Sequence, residues 1–558
     1  MMKQKSETIF SIFPVLFSLL FLNACEAVKG IVIDEVEKTG FKTFESDKNS
    51  KLEIYFFDSD NVVNETGEEF TRTGPSKNNA DSSIWKIRAA ESYLIKSGNV
   101  EILVDCGHQT GSYSHYDISN AFTNNVLKKI ASVCDDGKLE YVLITHGDMD
   151  HIASFAVDNN VFDAFFSGKE QETIDGQKRK LVGIDNLIDF DSPMVALHSN
   201  KELENRLVNS ELYQKYISAR DSYLDKMNYL PVSALFGSSI KTSNGINQTT
   251  ENKEIARPAS LSQKNSDQLI SENSGTENAM EYVDLYKKNN DYVNNVNALN
   301  GELKSANERF YYSIPFKNCE LRILYNWFYD FGERHSFNSR DRNNISLCFE
   351  VVSGDFKFLS FGDLSGEGEK SILNYYSNTD MLENVSCFKA SHHGSTNNGE
   401  NSQNLFKTTK PKVVCAIGCA QCKLDNSGYD SSAAFIEQQF LNNLYNGLKN
   451  EDNDLAYTPT IFYTNVCCGK NDKATGIRVY ESNPFYGDVK IDFRNSNIYV
   501  SSSYKGLVNA YISNEENIAF EKKHNGEYYN FTVRKNNSFV SFQNTDWFKR
   551  AGLFFGGK

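Results

Sequence analysis

Short apolar runs separated by polar turns recur in two distant parts of the chain, with helical spacing between them. In the first part, 52–57, 93–96 and 100–105 read as strands, the last two flanking the turn signal Ser97-Gly98-Asn99. Ile118, Phe122, Val126 and Ile130 recur at helical spacing and predict a helix over 118–134. The apolar run 139–145 then leads straight into His146. In the second part, 345–352 and 356–361 form a strand pair around Ser353-Gly354-Asp355, and a helix follows at 367–377. The runs 385–390 and 412–417 are further strands. Ala433, Ile436, Phe440 and Leu444 mark one face of a helix over 431–448. Strands continue through 455–494, and from 496 the alternation predicts a small β appendage.

The stretch 160–340 breaks this rhythm and reads as an insertion. Leu203, Leu207, Tyr213 and Tyr216 predict a helix within 200–230. Residues 238–280 are rich in Ser, Asn, Thr, Gln and Lys and are expected to be disordered, since they offer little to a core. A polar helix is expected at 281–306, and regular structure resumes at 310–314 and 321–329. The expected organisation is a leader (1–24), a polar segment (25–50), a first half-domain (51–159), the insertion (160–340), a second half-domain (341–495) and the appendage (496–558).

The leader changes the picture of where the chain resides. Lys3 and Lys5 precede an apolar run at 9–22, too short to cross a ~30 Å hydrocarbon core with ease but suited to a secretory signal. It ends Leu22-Asn23-Ala24-Cys25, which resembles a bacterial lipoprotein signal in which Cys25 is lipidated and becomes the new N-terminus. The alternatives are an uncleaved anchor and a simple secretory signal. All three place the rest of the chain outside the cytoplasm, and the lipoprotein reading tethers it to the membrane through Cys25.

Composition sets limits. The chain has 558 residues, 40% apolar and 13% aromatic, enough for a large core and incompatible with wholesale disorder. With 58 basic and 73 acidic residues it carries a formal charge of −15 and does not coat nucleic acid through bulk attraction. A polyanionic substrate would have to be met by a local site such as metal ions. Of the Cys residues, Cys106, Cys348, Cys387 and Cys415 lie in strand-like runs and read as core. Cys419-x-x-Cys422 and the adjacent Cys467-Cys468 read as buried thiols or a disulfide, because an adjacent pair departs from zinc-ligand spacing.

The chemistry collects at strand ends. One strand ends at Asp105 and another in Thr145-His146-Gly147-Asp148-Met149-Asp150-His151. A third ends in Phe361-Gly362-Asp363 and a fourth in Ser391-His392-His393-Gly394-Ser395. Of nine His in the chain, four fall in these clusters, which favours a metal site over acidic turns and surface histidines. His146 and Asp148 can face one ion and Asp150 and His151 a second, with Asp363 as the negative bridge. The mixed nitrogen and oxygen donors suit two divalent ions, Zn²⁺ or Mn²⁺, and a hydroxide held between them would be the nucleophile. His108 and His115 read as loop residues; His198, His335 and His524 read as structural or solvent-facing.

These motifs resemble the metallo-β-lactamase fold superfamily, and within it the hydrolase domain of ComEC-type competence proteins and their free-standing relatives. Residues 145–151 are similar to that branch's Thr-His-x-Asp-x-Asp-His. Asn343-Asn344-Ile345-Ser346 with Phe361-Gly362-Asp363 is similar to its Asn-rich strand entry and Gly-Asp motif, and His392-His393-Gly394-Ser395 to its His-His-Gly-Ser. The resemblance covers roughly 51–155 and 340–490. It implies an α/β fold, an αββα sandwich, here with a long insertion and a small C-terminal β appendage. It implies His146, Asp148, Asp150, His151 and Asp363 as metal ligands, and His392 and His393 as ligands or transition-state donors. Asn344 would orient the Gly-Asp loop or touch substrate, and Asp105 takes the place of a structural Asp. Asp150, His393 and Asn344 would serve catalysis. A further His usual in the branch is missing, since no His lies between His393 and His524. Asp425, Tyr429 and Asp430 are the candidates to replace it. The expected activity is metal-dependent hydrolysis of a phosphodiester, with nucleic acid a possible substrate. The alternatives are another ester class (phosphorylcholine, a lipid headgroup, a lactone or a thioester) and a binding lipoprotein on a worn hydrolase scaffold.

Overall fold

Two-residue alternation along the strands builds two sheets that meet through one face of each. The computed structural model describes residues 30–33, 50–58, 90–108, 116–190, 211–236, 292–326, 329, 342–422, 438–452, 456–457, 459–472, 477–494, 497–502 and 505–506. In chain order the elements begin β1 (Gly30–Ile33), β2 (Leu52–Phe56), β3 (Tyr93–Ser97), β4 (Val100–Val104), α1 (Tyr116–Val133), β5 (Lys138–Ile144), α2 (Met149–Ala156) and α3 (Val161–Phe166). There follow β6 (Glu170–Glu172), β7 (Lys178–Lys180), β8 (Gly183–Asp189), α4 (Glu211–Asp221), β9 (Asn228–Pro231), α5 (Tyr292–Ala298), β10 (Glu302–Ala306), β11 (Arg309–Phe316) and β12 (Cys319–Leu324). The second half contributes β13 (Phe349–Ser353), β14 (Phe356–Ser360), α6 (Gly366–Tyr375), β15 (Cys387–Lys389), α7 (Gln403–Thr409), β16 (Val413–Cys422) and α8 (Gln438–Gly447). The last strands are β17 (Thr460–Asp472), β18 (Ile477–Tyr486), β19 (Val489–Arg494), β20 (Asn497–Ser502) and β21 (Lys505–Gly506).

The first sheet has the order β1-β20-β19-β2-β3-β4-β5-β8-β9 and the second β10-β11-β12-β13-β14-β15-β16-β17-β18-β21. On β3, Tyr93 points at the second sheet, its ring centroid 6.0 Å from Phe358, and its hydroxyl lies 2.7 Å from Ser360 Oγ. Lys96, an odd number of positions away, points to the other face and donates to Val133 O at the end of α1. On β14, Phe356 and Phe358 face the first sheet, with Phe356 stacked 4.9 Å from Phe493 of β19. On β15, Phe388 faces outward to Phe406 of α7, which packs on Phe440 of α8. This layering, helices outside two facing sheets, is the expected αββα sandwich.

Parallel register aligns the strand ends that carry the chemistry. Val104 of β4 pairs with Leu143 of β5, and Ile144 with Asp189 of β8. In the second sheet Ser360, Lys389 and Cys415 stand side by side. The two rims are joined where Leu347 N donates to Thr145 O at 2.8 Å.

Several expectations change. The polar segment 25–50 contains β1, which pairs with β20 in parallel. Residues 160–340 thread β8 and β9 into the first sheet and β10, β11 and β12 into the second, so these strands extend both sheets instead of standing apart. Of the polar helix expected at 281–306, the described part, 292–306, is α5 followed by strand β10, whose Leu303 opposes Tyr312; cross-strand packing overrides the helical pattern over 302–306. Of the appendage expected at 496–558 only 497–502 and 505–506 are described: β20 joins the first sheet beside β19 and β21 joins the second beside β18, and the remaining residues lie outside the described ones. Residues 345–348, expected as strand, are a short 3₁₀ turn at Arg342–Ile345 and an irregular connection. Residues 238–280, His115, His198, His335, His524, Cys25, Asp425, Tyr429 and Asp430 lie outside the described residues. Cys106, Cys348, Cys387 and Cys415 are buried free thiols, as are Cys134 and Cys319. Of the later group the backbone register is described: Cys422 pairs with Cys468 across β16 and β17.

Asp488, just before β19, is tied to two early parts of the chain. The Lys129 ammonium of α1 donates to Asp488 Oδ1 at 2.8 Å, and the same oxygen accepts Asp58 N at 2.9 Å.

His108 is buried against Phe122 of α1, ring centroids 5.5 Å apart and stacked, and neither ring nitrogen has a hydrogen-bond partner among the described residues. Burial pulls its pKa down from 6.5 to about 4. The folded chain therefore refuses a proton that the unfolded chain accepts. Its contribution to stability is intact above pH 6.5 and is lost as pH falls through about 4, a total on the order of 3 kcal/mol. His108→Leu is expected to flatten the acid side of the stability curve between pH 6.5 and 4, measured as the difference from wild type in urea unfolding.

Candidate metal centre

The site is built on Asp105, the residue after β4. Its carboxylate accepts Thr145 N through Oδ1 and Thr145 Oγ1 through Oδ2, both at 2.7 Å, and His151 Nδ1 donates to Oδ2 at 2.8 Å. With the Thr145 hydroxyl proton committed to Asp105, Thr145 Oγ1 accepts from His146 Nδ1 at 3.1 Å. His393 Nδ1 donates to Ile417 O at 2.9 Å. All three imidazoles are thus held through Nδ1, the arrangement in which Nε2 offers its lone pair.

Those Nε2 atoms converge on Asp363. Its Oδ2 lies 3.1 Å from His151 Nε2, 3.3 Å from His393 Nε2 and 3.8 Å from His146 Nε2. Asp150 Oδ2 adds a second carboxylate 3.2 Å from His393 Nε2. Five of the expected residues therefore meet: His146, Asp150, His151, Asp363 and His393. Asp148 is the half-buried N-cap position of α2, and its backbone carbonyl accepts His151 N and Ile152 N. His392 turns to Glu400, with Nδ1 and Oε1 2.9 Å apart, and is the most exposed of the four imidazoles at 23%. Asn344 accepts Gly368 N through Oδ1 at 2.9 Å and so holds the first turn of α6, directly after the Gly-Asp loop. His108 is not part of the cluster.

Backbone shape brings these groups together. Asp105, His392 and His393 all have positive φ, at 53°, 47° and 56°, a region that non-glycine residues rarely occupy. Asn401 holds the turn that contains the two histidines: its Oδ1 accepts Ser391 N, and its Nδ2 donates to Ser391 O and Ser395 O. Gly362 also has positive φ, and a Cβ there would stand 2.8 Å from Thr145 Cβ. The loop after β4 lies flat on the 149–151 backbone: Cys106 N donates to His151 O and Glu91 N to Asp150 O. A Cβ on Gly107 would fall 1.9 Å from the Asp150 carbonyl.

Strands and helices from the insertion wall the site. Phe190, directly after β8, packs so closely on Gly147 that a Cβ there would meet its ring at 2.9 Å. Behind it Asp189 accepts the hydroxyls of Tyr216 and Tyr229 and pairs with Arg220 at 3.3 Å. The basic run Lys178-Arg179-Lys180 serves structure: Arg179 donates to Ala131 O and Cys134 O at the end of α1.

The donor set fits divalent cations. Three imidazole lone pairs and two carboxylates face one another at 3.1 to 3.8 Å, an arrangement of acceptors that only positive species can hold together. Burial pulls the His151 pKa down, but Asp363, Asp105 and Glu91 outweigh it and push it well above the ordinary value. His393, also opposed by burial, is pushed up to about 10 by Asp363 and Asp150. Burial raises Asp363, yet His151, His393 and Lys389 hold it well below the usual carboxylate range. Protons and metal ions are interchangeable occupants of such a cluster. Nitrogen with carboxylate oxygen suits Zn²⁺ or Mn²⁺.

Two buried residues next to the cluster escaped the sequence reading. Glu91 precedes β3, and Lys389 ends β15; their side chains are 2.6 Å apart. Glu91 Oε2 lies 3.5 Å from His393 Nδ1, on the side of that ring facing away from Asp363. Glu91 is therefore a neighbour of the cluster more than a ligand, since the ammonium of Lys389 already claims its carboxylate. The legible signal was a lysine inside the apolar run 385–390.

Residues 86–157 match the family model of the metallo-beta-lactamase superfamily. No curated protein matches the sequence. Among solved structures, the chain is similar to the metallo-beta-lactamase fold protein YhfI from Bacillus subtilis, at 11% identity and a TM-score of 0.24, covering 66% of this chain and 85% of that one. It is also similar to a diphosphatase from the PhnP family, at 8% identity and a TM-score of 0.22, covering 66% of this chain and 86% of that one.

Gly107→Ala is expected to push the 105–108 loop off the 149–151 backbone, abolishing cation binding and lowering the unfolding temperature. Gly354→Ala, in a turn with open space around it, should cost only the positive φ, about 1–2 kcal/mol, and leave cation binding intact. Metal analysis and thermal melts of both variants check this.

Proposed function

We infer that this chain, which has the metallo-β-lactamase fold, is a metal-dependent hydrolase, and that its substrate is a phosphodiester. The observation that carries the reading is the meeting of three imidazoles and two carboxylates from three separate stretches of chain around Asp363 Oδ2. When bound, divalent cations supply Lewis acidity toward an ester or phosphoryl oxygen and make water acidic near neutral pH. His146, Asp148, Asp150, His151, Asp363 and His393 would hold them. Asp105, Asp148, Asp150, Asp363 and Glu91 against Lys389 leave a formal charge that two divalent ions would balance, which favours a two-ion site.

The chain's own residues orient and enclose. Asp105 fixes the ring of His151, and the Ile417 carbonyl fixes that of His393. His392, held by Glu400, stands on the solvent side and is the imidazole that a substrate oxygen meets first. Phe190 and the residues behind it exclude water from one flank. The phosphodiester class rests on the likeness of 145–151, 361–363 and 392–395 to the competence-protein hydrolases, as does nucleic acid as a substrate. Membrane tethering through Cys25 rests on the leader sequence; no helix among the described residues is long and apolar enough to cross a membrane.

Asp363→Ala is expected to abolish chelator-sensitive hydrolysis of bis-p-nitrophenyl phosphate while the circular dichroism spectrum is kept. A panel of lactone, thioester and phosphorylcholine substrates tests the class, and faster turnover of any of these would replace the phosphodiester reading. Cys25→Ala should move the full-length chain from the membrane fraction to the soluble fraction and remove palmitate labelling.

A further inference from the structure

Lys389 is fully buried, and its three acceptors account for the three donors of its ammonium: Glu91 Oε2 at 2.6 Å, Gly362 O at 3.0 Å and Asp363 Oδ1 at 3.3 Å. A charge in this position is costly to bury unless it is fully paired, and apolar residues would fill the same space at least as favourably. Its placement explains why a charge stands there. Phe388 faces α7, so alternation turns Lys389 inward, between the sheets and beneath the cluster. The carboxylate of Asp363 is thereby divided: Oδ1 faces the ammonium, and Oδ2 faces the three imidazoles. Glu91 completes the link. Its side chain holds Lys389, its N–H donates to Asp150 O at 2.8 Å, and its carbonyl accepts Gly107 N at 3.1 Å. One ion pair thus connects the loops that carry Asp105, Asp150 and Asp363.

We propose that Lys389, ion-paired to Glu91, is a positioning residue that fixes the Asp363 carboxylate so that Oδ2 alone is offered to a cation. The proposal rests on the metal-site reading above. Neutralising both partners in Lys389→Met/Glu91→Gln conserves net charge, so bulk electrostatic attraction for a cation is unchanged and only the hold on Asp363 is lost. Partners of metal ligands outside the coordination sphere are typically worth 10–100-fold in metal affinity.

The test titrates Mn²⁺ into metal-stripped protein by calorimetry, with electron paramagnetic resonance of the bound ion as a second readout and circular dichroism to establish folding. The double variant is expected to fold, to bind Mn²⁺ 10–100-fold more weakly, and to show an altered resonance spectrum. Wild-type affinity and spectrum in the folded double variant would overturn the proposal. Should the double variant not fold, Lys389→Met/Glu91→Leu, which also conserves net charge and replaces the ion pair by apolar side chains, decides on the same criteria. Asp363→Asn separates the two levels. If it binds Mn²⁺ as wild type does, the metal-site reading itself fails. If it loses Mn²⁺ while the Lys389 and Glu91 variants do not, only the role of the ion pair fails.

Discussion

The carboxylate of Asp105 is the interaction on which the rest of the site depends. It stands at the end of a strand in a backbone conformation unusual for its residue type, and it holds Thr145 through both backbone and hydroxyl and His151 through the ring. From that one group the tautomers of His146 and His151 follow, because the hydroxyl proton of Thr145 is already committed. The Nε2 atoms then have one place to point. Asp363 and His393 arrive from the second sheet to meet them, so the chemistry exists only because two sheets present their rims to each other.

Much of this was legible in the chain because strand-end chemistry leaves a local imprint. An apolar run that stops at a His/Asp cluster reads the same whether or not its neighbours are known. The runs 93–96, 100–105, 139–145 and 356–361 and the helix over 118–134 stand within a few residues of their expected places. What the pattern could not convey was pairing at a distance. Segment 302–306 looks helical by itself and is a strand because β11 lies beside it. β1 is short and polar-flanked and acquires meaning only as the neighbour of β20, which itself lies beside β19. Glu91 and Lys389 were passed over for the same reason: either alone is a charge in an apolar run, and their 2.6 Å contact joins positions almost three hundred residues apart.

The site also holds its backbone in uncommon conformations. Consecutive left-handed residues at His392 and His393 cost about 1–3 kcal/mol each. The surrounding hydrogen bonds, those of Asn401 above all, over-determine the turn. Such a turn cannot relax into a common alternative, which suits groups that must meet from different sheets to within a fraction of an ångström. The insertion contributes rigidity by the same logic, with Phe190 seated on Gly147 and a buried Arg220–Asp189 pair behind it.

β19 lies between β20 and β2, and Asp488 is bonded to both Lys129 and Asp58. A ribosome therefore releases β2 long before it makes β19, the strand that covers its edge. Until residue 494 has emerged, the growing polypeptide carries an unprotected edge that could recruit the equivalent segment of another nascent copy. Maturation of the first sheet waits for residues 489–494, and a fragment that stops short of that point keeps an open seam whatever the quality of its remaining core.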